Sequence, residues 1–140
     1  MAPIRLLLIL VITLISLGFS GQVCNKDVIL GEWIYLTSRF GIHFNIDSMK
    51  TVIDTTKTKL GIWTFDKNGT CLYENFVMRP RRKQRTYSFD EKACEIILQP
   101  TKKSSSNDNN LEILYLDDKY LIYKADNNPK GYFTYLLKRK

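Results

Sequence analysis

The stretch "VILGEWIYL", residues 28–36, decides how the rest of the chain is read. A glycine two residues ahead of a tryptophan leads into a run rich in aromatic and β-branched residues, the composition of a strand. It stands only a few residues after what reads as an export signal. The first twenty residues, "MAPIRLLLILVITLISLGFS", carry one arginine, then an unbroken apolar run, then the small residues Gly18 and Ser20 where a signal peptidase needs them. The uncharged run from Leu6 to Phe19 is shorter than the ~20 residues of a spanning helix, so a retained anchor is the weaker alternative. The expected organisation is a signal peptide over 1–20 and one domain over 21–140, secreted or periplasmic after cleavage. About 120 residues are enough to bury a core without staples.

Downstream of Gly31 the chain breaks into short β-rich runs separated by turn residues, with no long apolar stripe at helical period. Eight strands are expected, at 32–40, 60–65, 70–78, 85–89, 94–99, 111–116, 119–125 and 132–138. Three joins are tight: "DKNG" at 66–69, "DEKA" at 90–93 and the pair Asp117 and Asp118. Four are long, at 41–59, 79–84, 100–110 and 126–131. Long and tight joins alternate, so an up-and-down meander gathers the long loops at one end and the tight turns at the other. That asymmetry describes a cup with a closed base and an open rim. Within the first long loop Ile46, Met49 and Ile53 have helical spacing, whereas the β-branched "TVIDTTKT" argues against a helix. An irregular lid is the expectation there.

These elements resemble the lipocalins, and more closely the small secreted lipocalin-like domains of bacteria. The likeness covers the whole mature chain and rests on "LGEW" opening the first strand, "WTFDKNGT" forming the next hairpin, and "YLLKRK" at the end. It implies an all-β, eight-stranded antiparallel up-and-down barrel whose Trp33 plugs the base while Arg139 packs across it. The strand count independently brings the start of the first strand and the end of the last to the same, tight-turned end.

One parity of the strands is large and aromatic: Trp33, Tyr35, Trp63, Phe65, Tyr73, Tyr87, Phe89, Tyr115, Leu121, Tyr123, Phe133 and Tyr135 are expected inside. A barrel of this size is either filled by its side chains or has room for one small ligand. Both readings stay open on the sequence. Buried phenols favour a ligand or water that would pair them, because an unpaired hydroxyl costs about 1–3 kcal/mol. "RPRRKQR", residues 79–85, is the sharpest charge feature, and the loop count sets it at the rim with Lys50, Lys57, Lys59, Lys102, Lys103 and Lys130. It has neither the helix nor the aromatic platform of a nucleic-acid interface, so no nucleic acid is expected. The whole chain carries a net charge of +7; removing Arg5 from the 21 basic residues leaves 20 against 14 acidic ones, a net of +6.

The functional expectation is a binding protein, not an enzyme, for a small hydrophobic or amphipathic, anionic ligand. Tyr35, Trp63, Tyr73, Tyr123 and Tyr135 line the cup, and Arg81, Arg82 and Arg85 select the acidic group. An anionic membrane surface is a second partner for the same rim. The rival is a filled barrel acting as a protein-interaction module of inhibitor or immunity type. No cofactor or metal is expected: His43 is the only histidine and no nucleophile or metal-ligand spacing accompanies it. Asn68-Gly69-Thr70 matches a glycosylation acceptor, but a tight hairpin wants the same Asn-Gly.

Three cysteines permit at most one intramolecular disulfide. Cys71 and Cys94 follow tight turns on strands with another strand between them, roughly 9–10 Å apart by strand spacing. A bond therefore joins Cys24 to one of the other two. Cys24 also raises a lipoprotein alternative, against which Val23 stands where a small residue is needed.

Overall fold

Strand β1 begins at Gly31 because only glycine tolerates the backbone there: its φ is +106°. From that point the chain forms a closed eight-stranded barrel in sequential order, every neighbouring pair antiparallel and β8 closing on β1. The structure is a computed structural model that describes residues 24–41, 45–77, 81–99, 110–128 and 131–140. The signal peptide, His43, Arg79, Lys102, Lys103 and Lys130 lie outside the described residues. The elements are α1 (Lys26–Ile29), β1 (Gly31–Phe40), α2 (Ile46–Thr55), β2 (Gly61–Phe65), β3 (Thr70–Asn75), β4 (Arg81–Asp90), β5 (Glu95–Leu98), β6 (Asn110–Leu116), β7 (Tyr120–Asn128) and β8 (Gly131–Arg139).

The base is built as the turn residues dictate. Asp66, Asp90 and Asp117 each open one tight turn and accept backbone N–H groups two or three residues on: Asn68 N at 2.8 Å, Lys92 N at 2.9 Å, Lys119 N at 2.8 Å. Trp33 is fully buried, and its indole N–H donates to the Ile29 carbonyl at 2.8 Å. The Arg139 guanidinium lies 3.9 Å from the Trp33 ring centroid and donates to the carbonyls of Leu30 and Val28. A Cβ at residue 31 would stand 3.1 Å from Arg139 Nη1. Gly-x-Trp is thus a plug: the glycine makes room for the arginine that covers the tryptophan. The segment ahead of β1 crosses the base and is fastened by a Cys24–Cys94 disulfide with Cα atoms 5.5 Å apart. Cys71 is a free, buried thiol, and the Cys71–Cys94 bond that the strand order excludes is not formed.

Four expectations are corrected. The segment 46–55 is a helix rather than an irregular lid. Asn45 caps it by accepting from Ser48 N, and Met49 and Ile53 are buried against Leu36, Tyr120, Ile122 and Leu136, the outward side chains of β1, β7 and β8. Burial of that stripe outweighs the weak helix propensity of its β-branched residues. The helix consequently covers the outer wall, not the rim, and Lys50 leaves the rim with it, its ammonium donating to Tyr115 Oη at 2.8 Å.

Tyr115 itself faces outward. A bulge between Ile113 and Tyr115 shifts the β6 register, so Ile113 and Leu116 point in while Tyr115 joins the layer under the helix. Strand β4 starts at Arg81, so Arg81, Arg82 and Lys83 stand in strand and not in a loop. Lastly, 126–131 is no long loop: β7 and β8 pair as far as Asn128 and Gly131.

Candidate functional site

Strand β4 carries the consequence of that correction. A loop scatters its cations, whereas a strand alternates them between two faces. Lys83 pairs with Tyr73, and Arg85 with Cys71, so both point into the barrel, while Arg82 and Gln84 pair with Glu74 and Leu72 on the outside. Arg82 Nε forms an exposed ion pair with Glu74 at 3.1 Å on that outer face. Arg81 shares the inward parity but sits at the lip, exposed.

Beneath the lip lies a cavity of about 240 Å³, lined by Tyr35, Trp63, Tyr73, Lys83, Arg85, Leu98, Leu111, Tyr123, Ala125 and Tyr135. It occupies the upper half of the barrel. Phe65, Tyr87, Ile96, Leu121 and Leu137 pack the lower half with Trp33. The five aromatic residues expected to line the cup therefore all line it, Arg85 joins them, and Arg81 and Arg82 do not. Lys83, missed because its segment read as a loop, is the added cation. Its signal was present: taking "RRKQRTYSF" as one strand places Lys83 and Arg85 on the side of Tyr87 and Phe89.

The geometry of the lining is fixed by its neighbours. Gly61 holds the inward position between Tyr35 and Asn75, and a Cβ there would meet the Glu74 carbonyl oxygen at 2.5 Å and the Tyr73 ring at 3.1 Å. The missing side chain lets the Tyr73 ring lie across the strand. Arg85 is anchored by two hydrogen bonds to the Gln99 carbonyl, 3.2 Å from Nε and 2.6 Å from Nη2. Burial raises the Tyr123 phenol well above its ordinary value, with Tyr135, Tyr73 and Tyr35 adding to the shift; burial also raises Tyr73. These phenols are neutral at physiological pH and keep their O–H groups to donate.

Among the described residues two cations line this space and no carboxylate does. Lys83 makes no ion pair among the described residues. No group of three or more His, Cys, Asp or Glu converges as a metal centre among them either. The site can therefore receive a compact molecule that presents a negative charge to β4 and an apolar body to the aromatic rings.

No family model matches the chain. No curated protein matches it. Among solved structures, a lipocalin-like protein from Bacteroides uniformis superposes with a TM-score of 0.50 at 14% identity, covering 80% of this chain and 98% of that one. An uncharacterised protein from Bacteroides eggerthii gives 0.48 at 14% identity over 79% of this chain and 98% of that one. A DUF4847 family protein from Bacteroides vulgatus gives 0.47 at 15% identity, over 79% and 94%. The architecture is that of a lipocalin-like barrel, in agreement with the up-and-down order of the strands.

Proposed function

We propose that this lipocalin-like barrel is an exported binding protein that takes a small amphipathic anion into its open end. The observation that carries the reading is the cavity's charge: among the described residues Lys83 and Arg85 enter an otherwise aromatic and aliphatic space with no acidic side chain. An anion there meets charge-assisted hydrogen bonds in partly desolvated surroundings, where such bonds are stronger than on a surface. Binding rather than catalysis suits a lining that, among the described residues, holds no carboxylate, imidazole or thiol to move a proton or attack. Export is supported by the apolar leader over 1–20 and by the Cys24–Cys94 disulfide, which needs an oxidising compartment to persist. A thiol held in that disulfide is not available for acylation, which favours the soluble form over the lipoprotein.

The rim supports a second reading. Phe40 and Phe76 are each 45% exposed and Val77 is 62% exposed, all at strand ends beside the mouth. They fit docking to another protein or, with Arg81 beside them, to an anionic membrane. Calorimetric titration of the mature protein with short carboxylic acids and their uncharged amides separates the readings. The acids should bind and the amides bind less, with the difference shrinking as salt screens charges beyond ~8 Å. Equal binding of acid and amide would remove the role of Lys83 and Arg85. Binding of neither would leave the interaction module.

A further inference from the structure

Two stacked ring pairs wall the cavity. On β2 and β3 the Trp63 and Tyr73 rings lie 4.7 Å apart at 29°. On β7 and β8 the Tyr123 and Tyr135 rings lie 4.9 Å apart at 14°, and Tyr35 adds a ring 5.7 Å from Tyr135. Both pairs line the same cavity. Aliphatic lining is limited to Leu98, Leu111 and Ala125.

These walls are poorly matched to a flexible acyl chain. The space is compact, about 240 Å³, below the ~300–1,000 Å³ of sites that enclose drug-sized ligands. A flat ring does better. It presents a face that stacks, fits a compact volume, and can carry an oxygen or nitrogen at its edge for the phenols.

From the ring pairs, the volume and the placement of Lys83 and Arg85 we infer that the ligand is a one- or two-ring aromatic acid. Its carboxylate turns to β4 at the mouth and its ring lies against the Trp63–Tyr73 and Tyr123–Tyr135 walls. The inference rests on the binding function proposed above and narrows it to a class. Ring character sets the limit: a bare alkyl acid lacks the face.

The test is competitive calorimetry on the disulfide-bonded mature protein with naphthoate, hydroxynaphthoate and decanoate. Naphthoate should bind about tenfold more tightly than decanoate, the scale of one or two good ring contacts, and hydroxynaphthoate should match or exceed naphthoate. Tyr73→Leu should weaken naphthoate several-fold and leave decanoate unchanged. A denaturation midpoint close to the unmodified protein's checks that this variant is folded. Decanoate binding as tightly as naphthoate, or equal losses of both in Tyr73→Leu, would overturn the aromatic class and leave the anion-binding function standing. Binding of neither acid would overturn both.

Discussion

The two halves of the barrel wall are built differently. From β6 through β8 to β1 the strands are buried on both faces: Leu121 and Leu137 point into the barrel, Ile122 and Leu136 point outward under α2, and all four are fully buried. From β2 to β4 only the inner face is covered, and the outer face carries Thr64, Thr70, Arg82 and Gln84 beside water. Strand β4 is exposed at five of its first six positions. One half is a rigid backing and the other a thin wall able to carry cations inward. The contrast teaches that the cavity's cations stand on the side where a charged side chain can still reach solvent, which lowers the cost of placing them in a cavity.

Substitutions that remove the backing should cost most. Trp33→Ala takes a buried aromatic from the base and leaves Arg139 without its ring, and is expected to destabilise by about 3–5 kcal/mol in chemical denaturation. An unchanged midpoint would break the account of the base. Next come the outward leucine and isoleucine. Ile122→Ala or Leu136→Ala should cost about 2–5 kcal/mol although each points away from the barrel interior, whereas Leu72→Ala, outward on the thin wall, should stay within about 1 kcal/mol. Equal costs on the two walls would erase the comparison. Cys24→Ser, which frees the plug segment, should cost about 2–4 kcal/mol, with the mobility appearing at the base and not at the cavity.

A smaller effect concerns how the backing is held. Asp54 near the end of α2 accepts from the Tyr120 hydroxyl at 2.7 Å and pairs with Lys119 at 3.1 Å. Those contacts, the Tyr120 hydrogen bond first, hold its carboxyl below the usual value. A lowered carboxylate pKa contributes stability that is present above the ordinary value and is lost as pH falls through the lowered one. Docking of α2 should therefore loosen only in acid. Asp54→Asn should bring a similar modest loosening at neutral pH and flatten the acid dependence. Amide exchange in α2 reads both.

Much of this contrast was legible in the residues. Eight strands, the Asp-led turns and the exclusion of a Cys71–Cys94 bond follow from alternation, turn chemistry and strand spacing; the Trp33–Arg139 plug follows from the resemblance to the lipocalins, with the strand count bringing both residues to the base. The thick wall was also written in "ILYL", "YLIY" and "YLL", continuous apolar runs that signal strands covered on both sides. Reading them so would have called for a covering element and found one in Met49 and Ile53. The β6 bulge that turns Tyr115 outward left no such mark, since a one-residue register shift depends on partners distant in sequence. "RPRRKQR" misled because turn-like proline and dense charge mask strand alternation, and with it the difference between Arg82 and Lys83.

That difference is where the account is most exposed. Arg82, Lys83 and Arg85 lie within four residues of one strand, and only parity separates the outer ion pair from the two cavity cations. The most direct test is calorimetric titration of naphthoate into Arg82→Gln, Lys83→Gln and Arg85→Gln at low salt. Loss of a charge-assisted contact should weaken Lys83→Gln and Arg85→Gln by about tenfold or more, equivalent to ~1.4 kcal/mol, and leave Arg82→Gln unchanged. Equal weakening in all three would reduce the cations to a diffuse surface field and contradict a cavity that holds the anion from within.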